Sequence, residues 1–484
     1  MQDIASLEPK ALWENFYQLT QLPRPSKKEG QVIEFIHNFG KRLNLETLQD
    51  DTGNVIIRKP ATAGYENRKP VVLQAHMDMV PQSDKDFDFE NQPIDAYVDG
   101  DWVTADGTTL GADNGIGLAA ALTVLQSEDL VHGPLEALFT VDEETGMTGA
   151  SALEPGLLNA EILINMDSED EGELYIGCAG GLETNAQFHY KKEAPPLESA
   201  AYELEVKGLK GGHSGLDIQL QRGNANKILN RILWYGSEKL DVRMATIAAG
   251  SLRNAIPREA KARIVVPNEQ SSEMKDYVKE VSEAVKNELA AVEPDLNINM
   301  SETDLPDYVL DQKTQDNLIR AVYGCPHGVM RMSDAMAGLV ETSTNLAVVQ
   351  SEASSVNIQT LQRSSVDSAK EDLGNMIRSI FELAGAVVLH EGAYPGWKPN
   401  PDSAGLKVMK DVYQQKFGKI PEVKAIHAGL ETGIISQAYP HLDMISFGPT
   451  ISYPHSPGEK VHIGSVEKFW IFLVETLKMI PEKD

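Results

Sequence analysis

"VVLQAHMDM", residues 71–79, is an apolar run that ends in an imidazole and a carboxylate. Val71, Val72 and Leu73 have the character of buried strand. His76 and Asp78, two residues apart, fall on one face of an extended chain. Runs of the same kind recur as "NVIIRK" (54–59), "LEALFTV" (135–141), "ILINMD" (162–167) and "DMISFG" (443–448). Between "VVLQAHMDM" and "LEALFTV" lies "GIGLAAALTVLQ" (115–126), apolar all round and long enough for a buried helix. Strands of near-continuous apolar character that alternate with helices predict an α/β domain with a mostly parallel sheet and flanking helices. Upstream, Ser26 and Glu29 match a capping box ahead of the helical stripe Val32, Phe35, Ile36 and Phe39.

The pattern changes near Gly180–Gly181. Strands such as "AYELEVKG" (201–208) and "EAKARIVVP" (259–267) are amphipathic. Two long helical stripes accompany them. One comprises Met274, Val278, Val281, Val285 and Leu289, the other Leu373, Met376, Ile377, Ile380, Phe381 and Ala384. An antiparallel sheet covered on one face accounts for this, hence an α+β domain. The proline-rich "AYPGWKPNPDSAG" (393–405) marks the return to the first pattern. The expected organisation is a split catalytic domain, 1–182 and 392–484, with an α+β lid domain inserted at 183–391.

Composition narrows the function. A chain of 484 residues, 42% of them hydrophobic, suffices for two or three cored domains. A net charge of −29 argues against nonspecific nucleic-acid binding and against an anionic membrane surface. Two cysteines, Cys178 and Cys325, are no disulfide framework. The opening "MQDIASLEPKALW" lacks the basic and apolar segments of a signal peptide, and no apolar stretch approaches the ~20 residues of a membrane span. A cytoplasmic protein is expected.

Each strand of the first domain runs out into acid. The first ends in His76-Met77-Asp78, the second in Asp142-Glu143-Glu144, the third in Asp167. Asp113 precedes the buried helix, and "YPHSPGE" brings His455 after the last strand. Singly, these residues have ordinary readings: a helix N-cap for Asp113, solvated loop acids for Glu143, Glu144 and Asp167, a surface histidine for His455. Ligands of open α/β sheets bind beyond the carboxyl ends of the strands, and these ends are expected to converge there. Carboxylates crowded there cannot all ionise unaided, and divalent cations would remove the conflict. Asp113, Glu144 and Asp167 would neutralise most of the charge of two such ions. His76 and His455 complete a mixed N/O set suited to zinc, cobalt or manganese. Asp78 would accept the second ring N–H of His76 and fix its tautomer.

At these residues the sequence resembles the di-zinc metallopeptidases that include aminoacylases, carnosinases and bacterial dipeptidases. The matching pieces are "AHMDMV", "LGADNGIG", "VDEETG", "NMDSED" and "PHSPGE", with "LKGGHSG" and "LRNAIP" in the inserted domain. Within the group, "LGADNGIG", "GGHSGLDI" and "HAGLETG" are most similar to the bacterial aminoacyl-histidine dipeptidases, or cytosol nonspecific dipeptidases. The resemblance implies two divalent metal ions per chain, zinc first, with Asp113 between them. Glu144 and His455 would hold one ion, His76 and Asp167 the other, and Glu143 would be the general base. His213, Asn254, Arg363 and Glu431 would contact a dipeptide substrate. A homodimer through the lid is implied, with His213 acting in its own subunit or across the dimer.

Rival readings remain. "GIGLAA" (115–120) fits the dinucleotide pattern G-x-G-x-x-A, but no buried strand leads directly into it. H-E-x-x-H and G-x-S-x-G are both absent from the sequence. His462 competes with His455 as a ligand, and Arg363 also reads as a surface arginine. An N-acyl amino acid deacylase, or a catalytically silent metal-binding protein of this fold, is the alternative to a dipeptidase.

Overall fold

The strand Val71–His76 is buried along its whole length, as is Leu135–Thr140 beside it. Both pair in parallel, and Ile162–Asn165 and Asp443–Ser446 extend the parallel core in that order. In this computed structural model, which describes residues 4–483, they form the centre of an eight-stranded sheet. Glu46–Gln49 and Val55–Lys59 flank it on one side, Glu173–Cys178 and Glu422–Ile426 on the other. The pairings of Glu46–Gln49 with Val55–Lys59, of Val55–Lys59 with Leu135–Thr140, and of Glu173–Cys178 with Asp443–Ser446 are antiparallel. The helix Ala112–Gln126 is apolar all round because it is buried all round. A separate four-stranded antiparallel sheet joins Ala96–Asp99 and Trp102–Ala105 to Lys460–His462 and Ile451–Ser452, and so anchors the loop that carries His455.

The chain divides into two compact units. The one just described runs to Gly177 and resumes at Pro399–Ala425 and from Leu430 onward. The other is Cys178–Lys398 with Ile426–Gly429. Its nine-stranded antiparallel sheet carries the helices Ala225–Lys239, Ser271–Glu288, Gln312–Gly324 and Asp367–Leu383. Alternate strand residues such as Tyr202, Leu204 and Val206 meet Leu229, Val278, Leu318 and Phe381 of those helices in one buried cluster. Among the described residues no helix is long and apolar enough to cross a membrane.

Two details differ from the sequence reading, and a third explains a motif it had set aside. The units change at 177/178 and 398/399, not at 182/183 and 391/392, and residues 426–429 join the second unit. Backbone pairing explains it. Cys178 and Trp397 exchange hydrogen bonds of 2.9 Å, and the Ala179 N–H donates to the carbonyls of Ile426 and Ala428. The Ser26–Glu29 capping box does not form. The helix starts at Gly30, Ser26 Oγ turns to the Met79 carbonyl, and Glu29 Oε1 accepts the N–H groups of Lys27 and Asp142. Finally, the glycines of "GIGLAA" serve packing. A Cβ on Gly117 would lie 2.6 Å from the Met166 carbonyl oxygen, and one on Gly115 would meet Phe16 at 2.9 Å. Exchanging glycine for alanine inside an open helix stabilises by about 1 kcal/mol. At Gly117 the neighbour is backbone, so Gly117→Ala is expected to lower unfolding free energy by about 1–3 kcal/mol instead. Urea denaturation of the two proteins measures the sign.

Candidate metal centre

Neighbouring parallel strands bring the acidic ends together. His76 closes Val71–His76 in register with Thr140, and Asp167 follows two residues after the end of Ile162–Asn165. Val141 and Asp142 lead from Leu135–Thr140, on the other side of Val71–His76 from Ile162–Asn165, into the turn Glu143–Gly146. The Asp142 carboxylate accepts the hydroxyls of Thr145 and Thr148 and holds that turn. Asp78, completely buried, accepts the backbone N–H of Glu143 at 3.1 Å and of Glu144 at 3.3 Å. Its Oδ1 also lies 3.2 Å from His76 Nδ1. One carboxylate thereby orients an imidazole and pins the adjacent glutamates. An Nδ1–H turned to Asp78 would leave the lone pair of Nε2 to a bound cation.

That Nε2 lies 3.1 Å from Asp113 Oδ1 and 3.2 Å from Asp167 Oδ1. On the other side of Asp113, Oδ2 is 3.2 Å from Nε2 of His455, which is 3.0 Å from Glu144 Oε2. Asp113 and Asn114 leave helical geometry, with ψ of 113° and 33°, and the Asp113 side chain caps nothing. Each of its oxygens faces a different histidine. Donor atoms of His76, Asp113 and Asp167 lie within 4.8 Å of one another, and so do those of Asp113, Glu144 and His455. Buried oxygens without a hydrogen-bond partner, Glu144 Oε1, Asp167 Oδ1 and Glu431 Oε1, belong to the same neighbourhood. A mixed nitrogen and oxygen set with orphaned buried oxygens fits a pair of divalent cations.

Electrostatics describe the same strain. Burial pulls the His76 imidazolium down, but the facing carboxylates of Asp167, Asp113 and Asp78 reverse this and raise its pKa well above the usual value. Hydrogen bonds to Asp113 and Glu144 push His455 up to about 11. Burial and neighbouring anions raise Asp167 to about 6, Glu431 to about 8, and Glu143 well above its ordinary range. Asp78 falls to about 2, since its bonds to His76 and to the Glu143 N–H outweigh its burial.

Other expected residues have defined places. Glu431 is buried, with Oε2 accepting from Gln74 Nε2 at 2.7 Å and from Thr140 Oγ1 at 2.9 Å. His462 is no rival to His455. Its Nδ1 accepts the Ser465 N–H and caps the helix Ile463–Met479. His213, Asn254 and Arg363 are in the second unit and gather around Ser214. The Ser214 N–H donates to the Asn254 carbonyl at 2.8 Å, and Arg363 Nε donates to Ser214 Oγ at 3.3 Å. Arg363 is buried, not a surface arginine, and its Nη1 also donates to the Tyr394 hydroxyl at 2.9 Å. His213 Nδ1 accepts the N–H groups of Gly215 and Leu216, which leaves its proton on Nε2. Burial and the charge of Arg363 lower its pKa and keep it neutral. A groove of about 820 Å³ in this unit is lined by His213 and Asn254 with Lys210, Arg258 and Lys261.

Three residues escaped the sequence reading. Glu459, in the quoted "PHSPGE", accepts four backbone N–H groups, those of residues 110–113, at 2.7–3.1 Å. Arg24, between two prolines, is buried and donates to the carbonyls of Met77, Asp78 and Gly111. His427, in "HAGLETG", is buried with Nε2 2.7 Å from Ser343 Oγ, and burial followed by the Arg363 charge holds its pKa at about 3.

The profile of peptidase family M20/M25/M40 matches residues 72–479, and the chain belongs to that family. The chain is 48% identical over 485 residues to the cytosol non-specific dipeptidase of Escherichia coli K12, covering all of both chains. Its structure is similar to that of the aminoacylhistidine dipeptidase from Vibrio alginolyticus, with 47% identity, a TM-score of 0.97 and coverage of 100% and 99% of the two chains. The aminopeptidase PepT of Bacillus cereus shares the fold at 18% identity, with a TM-score of 0.63 and coverage of 98% and 99%.

The shifted groups make stability depend on pH with a definite sign. Asp167, Glu431, His76 and His455 all bind protons more tightly folded than unfolded. Their contribution is complete at low pH and is lost as pH rises through the folded values. Asp78, of opposite sign, matters only below about pH 4. His213 and His427, whose folded pKa values are lowered, add stability as pH rises to about 6.5, so the melting temperature of metal-stripped protein is expected to fall between about pH 7 and 9. Added Zn²⁺ competes with those protons, so the rise it causes should be larger at pH 8 than at pH 6. Calorimetric scans with and without the ion measure both trends.

Proposed function

We propose that the chain is a two-metal dipeptidase acting on short peptides with free termini, including Xaa-His and carnosine-like dipeptides. The observation that carries this reading is Asp113, whose two oxygens face His76 and His455. His76, Asp113 and Asp167 would hold one ion, and Asp113, Glu144 and His455 the other. Zinc suits these donors best, with cobalt or manganese as alternatives. When bound, the ions supply polarisation of the scissile carbonyl and a lowered pKa for water. Support for the substrate comes from the relatives named as a cytosol non-specific dipeptidase and an aminoacylhistidine dipeptidase.

Glu143 takes the proton of the attacking water and passes it to the leaving amine. The Nε2–H of neutral His213 donates to the developing oxyanion. Arg363, steadied by Tyr394 and Ser214, pairs its planar fork with the substrate's terminal carboxylate, and Asn254 adds a hydrogen bond. Glu431 lines the substrate site beside Glu143. The second unit acts as a lid and as the contact of a homodimer, with cytosolic residence like that named for the Escherichia coli relative.

Chelation is expected to abolish hydrolysis of dipeptides, and Zn²⁺, Co²⁺ or Mn²⁺ to restore it. Dipeptides should be cut in preference to N-acetylated amino acids. Preference for the acetylated compounds would show a deacylase, and full activity in protein shown to be metal-free would overturn the reading. Glu143→Ala should retain two ions per chain and lose several decades of kcat. Glu144→Ala should instead lose affinity for one ion, as metal analysis beside single-turnover rates would reveal. Arg363→Lys keeps charge but loses the fork. It should raise KM for dipeptides while changing the already poor hydrolysis of amidated dipeptides little.

A further inference from the structure

The turn before Asp113 is gripped from two sides by buried groups of opposite charge. Its N–H groups enter one carboxylate. Glu459 Oε2 accepts from Leu110 and Gly111 at 2.8 and 2.9 Å, and Oε1 accepts from Ala112 and Asp113 at 2.7 and 3.1 Å. Its Gly111 carbonyl enters a guanidinium, that of Arg24. The same guanidinium reaches the carbonyls of Met77 at 3.0 Å and Asp78 at 2.8 Å, directly after His76. Arg24 and Glu459 are each within 2% of complete burial. Glu459 is the foremost of the anions that act on the Arg24 charge.

The space around this turn is closed. Gly111 has φ of 71°, and a Cβ there would lie 2.6 Å from Arg24 Nη2 and 2.8 Å from Met79 Sδ. Glu459 is itself held, since Thr104 Oγ1 donates to its carbonyl at 2.8 Å. Three separate pieces of chain are thus registered on one turn: the His76–Asp78 strand end through Arg24, Asp113 directly, and the His455 loop through Glu459. Carboxylates accepting several backbone N–H groups, and arginines in fixed fork geometry, are strong and directional partners. Neither contacts a candidate metal donor atom.

We infer that Arg24 and Glu459 are a paired positioning device that sets where the two oxygens of Asp113 stand, and so fixes the spacing and affinity of the two-ion site. This rests on the metal reading above. Groups that orient ligands from behind typically change metal affinity about 10- to 100-fold when altered. Arg24→Lys keeps the charge but cannot serve three carbonyls from two nitrogens. Glu459→Gln keeps the shape but replaces an acceptor oxygen with a donor facing N–H groups.

The test titrates Mn²⁺ into metal-stripped full-length protein, reading binding by calorimetry and the coupling between the two ions by electron paramagnetic resonance. Wild type should take up two ions with a coupled spectrum. Each variant should bind about 10- to 100-fold more weakly and show altered coupling, with KM for dipeptide little changed where kcat falls. The double variant should lose less than the product of the single losses, because both act through one turn. Thr104→Val, a milder change that frees Glu459, should give a smaller loss of the same kind and serves if Glu459→Gln does not fold. Wild type that takes up no ions would overturn the metal reading and this inference with it. Wild type that takes up two, with variants of unchanged affinity and coupling or with strictly multiplicative losses, would overturn the positioning role alone.

Discussion

A carboxylate between two imidazoles is the constraint around which the first unit is built. Asp113 can face both His76 and His455 only if the chain leaves helical geometry at the start of a buried helix. It must also stand close to Asp167 and Glu144, which repel it. Such crowding is costly in a buried setting, where unpaired charge cannot turn to water. The surrounding structure meets that cost locally. Backbone N–H groups fill the Asp78 and Glu459 carboxylates, and a buried guanidinium sits behind them.

Beneath this layer the parallel sheet is less apolar than its strands suggest. Gln74 donates to Thr140 Oγ1 and to Glu431 on one side and accepts from Asn165 Nδ2 on the other, and Ser446 Oγ donates to Asn165 Oδ1. This row of amides and hydroxyls crosses four adjacent strands. A satisfied polar row inside a core is rigid, because every member is held by its neighbours. It gives the strand ends above it a fixed floor, and it leaves one oxygen of Glu431 unpaired beside Glu143.

Much of this was legible in the sequence for physical reasons. Parallel strands buried on both faces must be apolar, so "VVLQAH" and "LEALFT" announced themselves, and the acids that follow stand out against them. The second unit was legible through alternation in strands such as Ser199–Lys207, whose Tyr202, Leu204 and Val206 enter one buried cluster while Glu203 and Lys207 stay exposed. What escaped depends on contacts that leave no periodic trace. Glu459 meets residues 346 to 349 positions away, and Arg24 meets Gly111 across 87. Glu29 has the spacing of a capping box, yet a tertiary partner, the Asp142 N–H, claims it. The unit boundaries shifted for the same reason, because the pairing of Cys178 with Trp397 is invisible in composition.

The loop that carries His455 is tied to Trp102–Ala105 by a small sheet, and His455 meets Asp113 across 342 positions of chain. Translation runs in one direction, so a growing chain makes His76, Asp113, Glu144 and Asp167, and then the whole second unit, before the last donor exists. Domains generally fold as they emerge. During synthesis the early acids are therefore exposed to solution without the histidine and the Glu459 carboxylate that organise them. Assembly of the candidate centre is a terminal event, and a chain cut short just before residue 455 carries the larger part of the protein without the imidazole that faces Asp113 and Glu144.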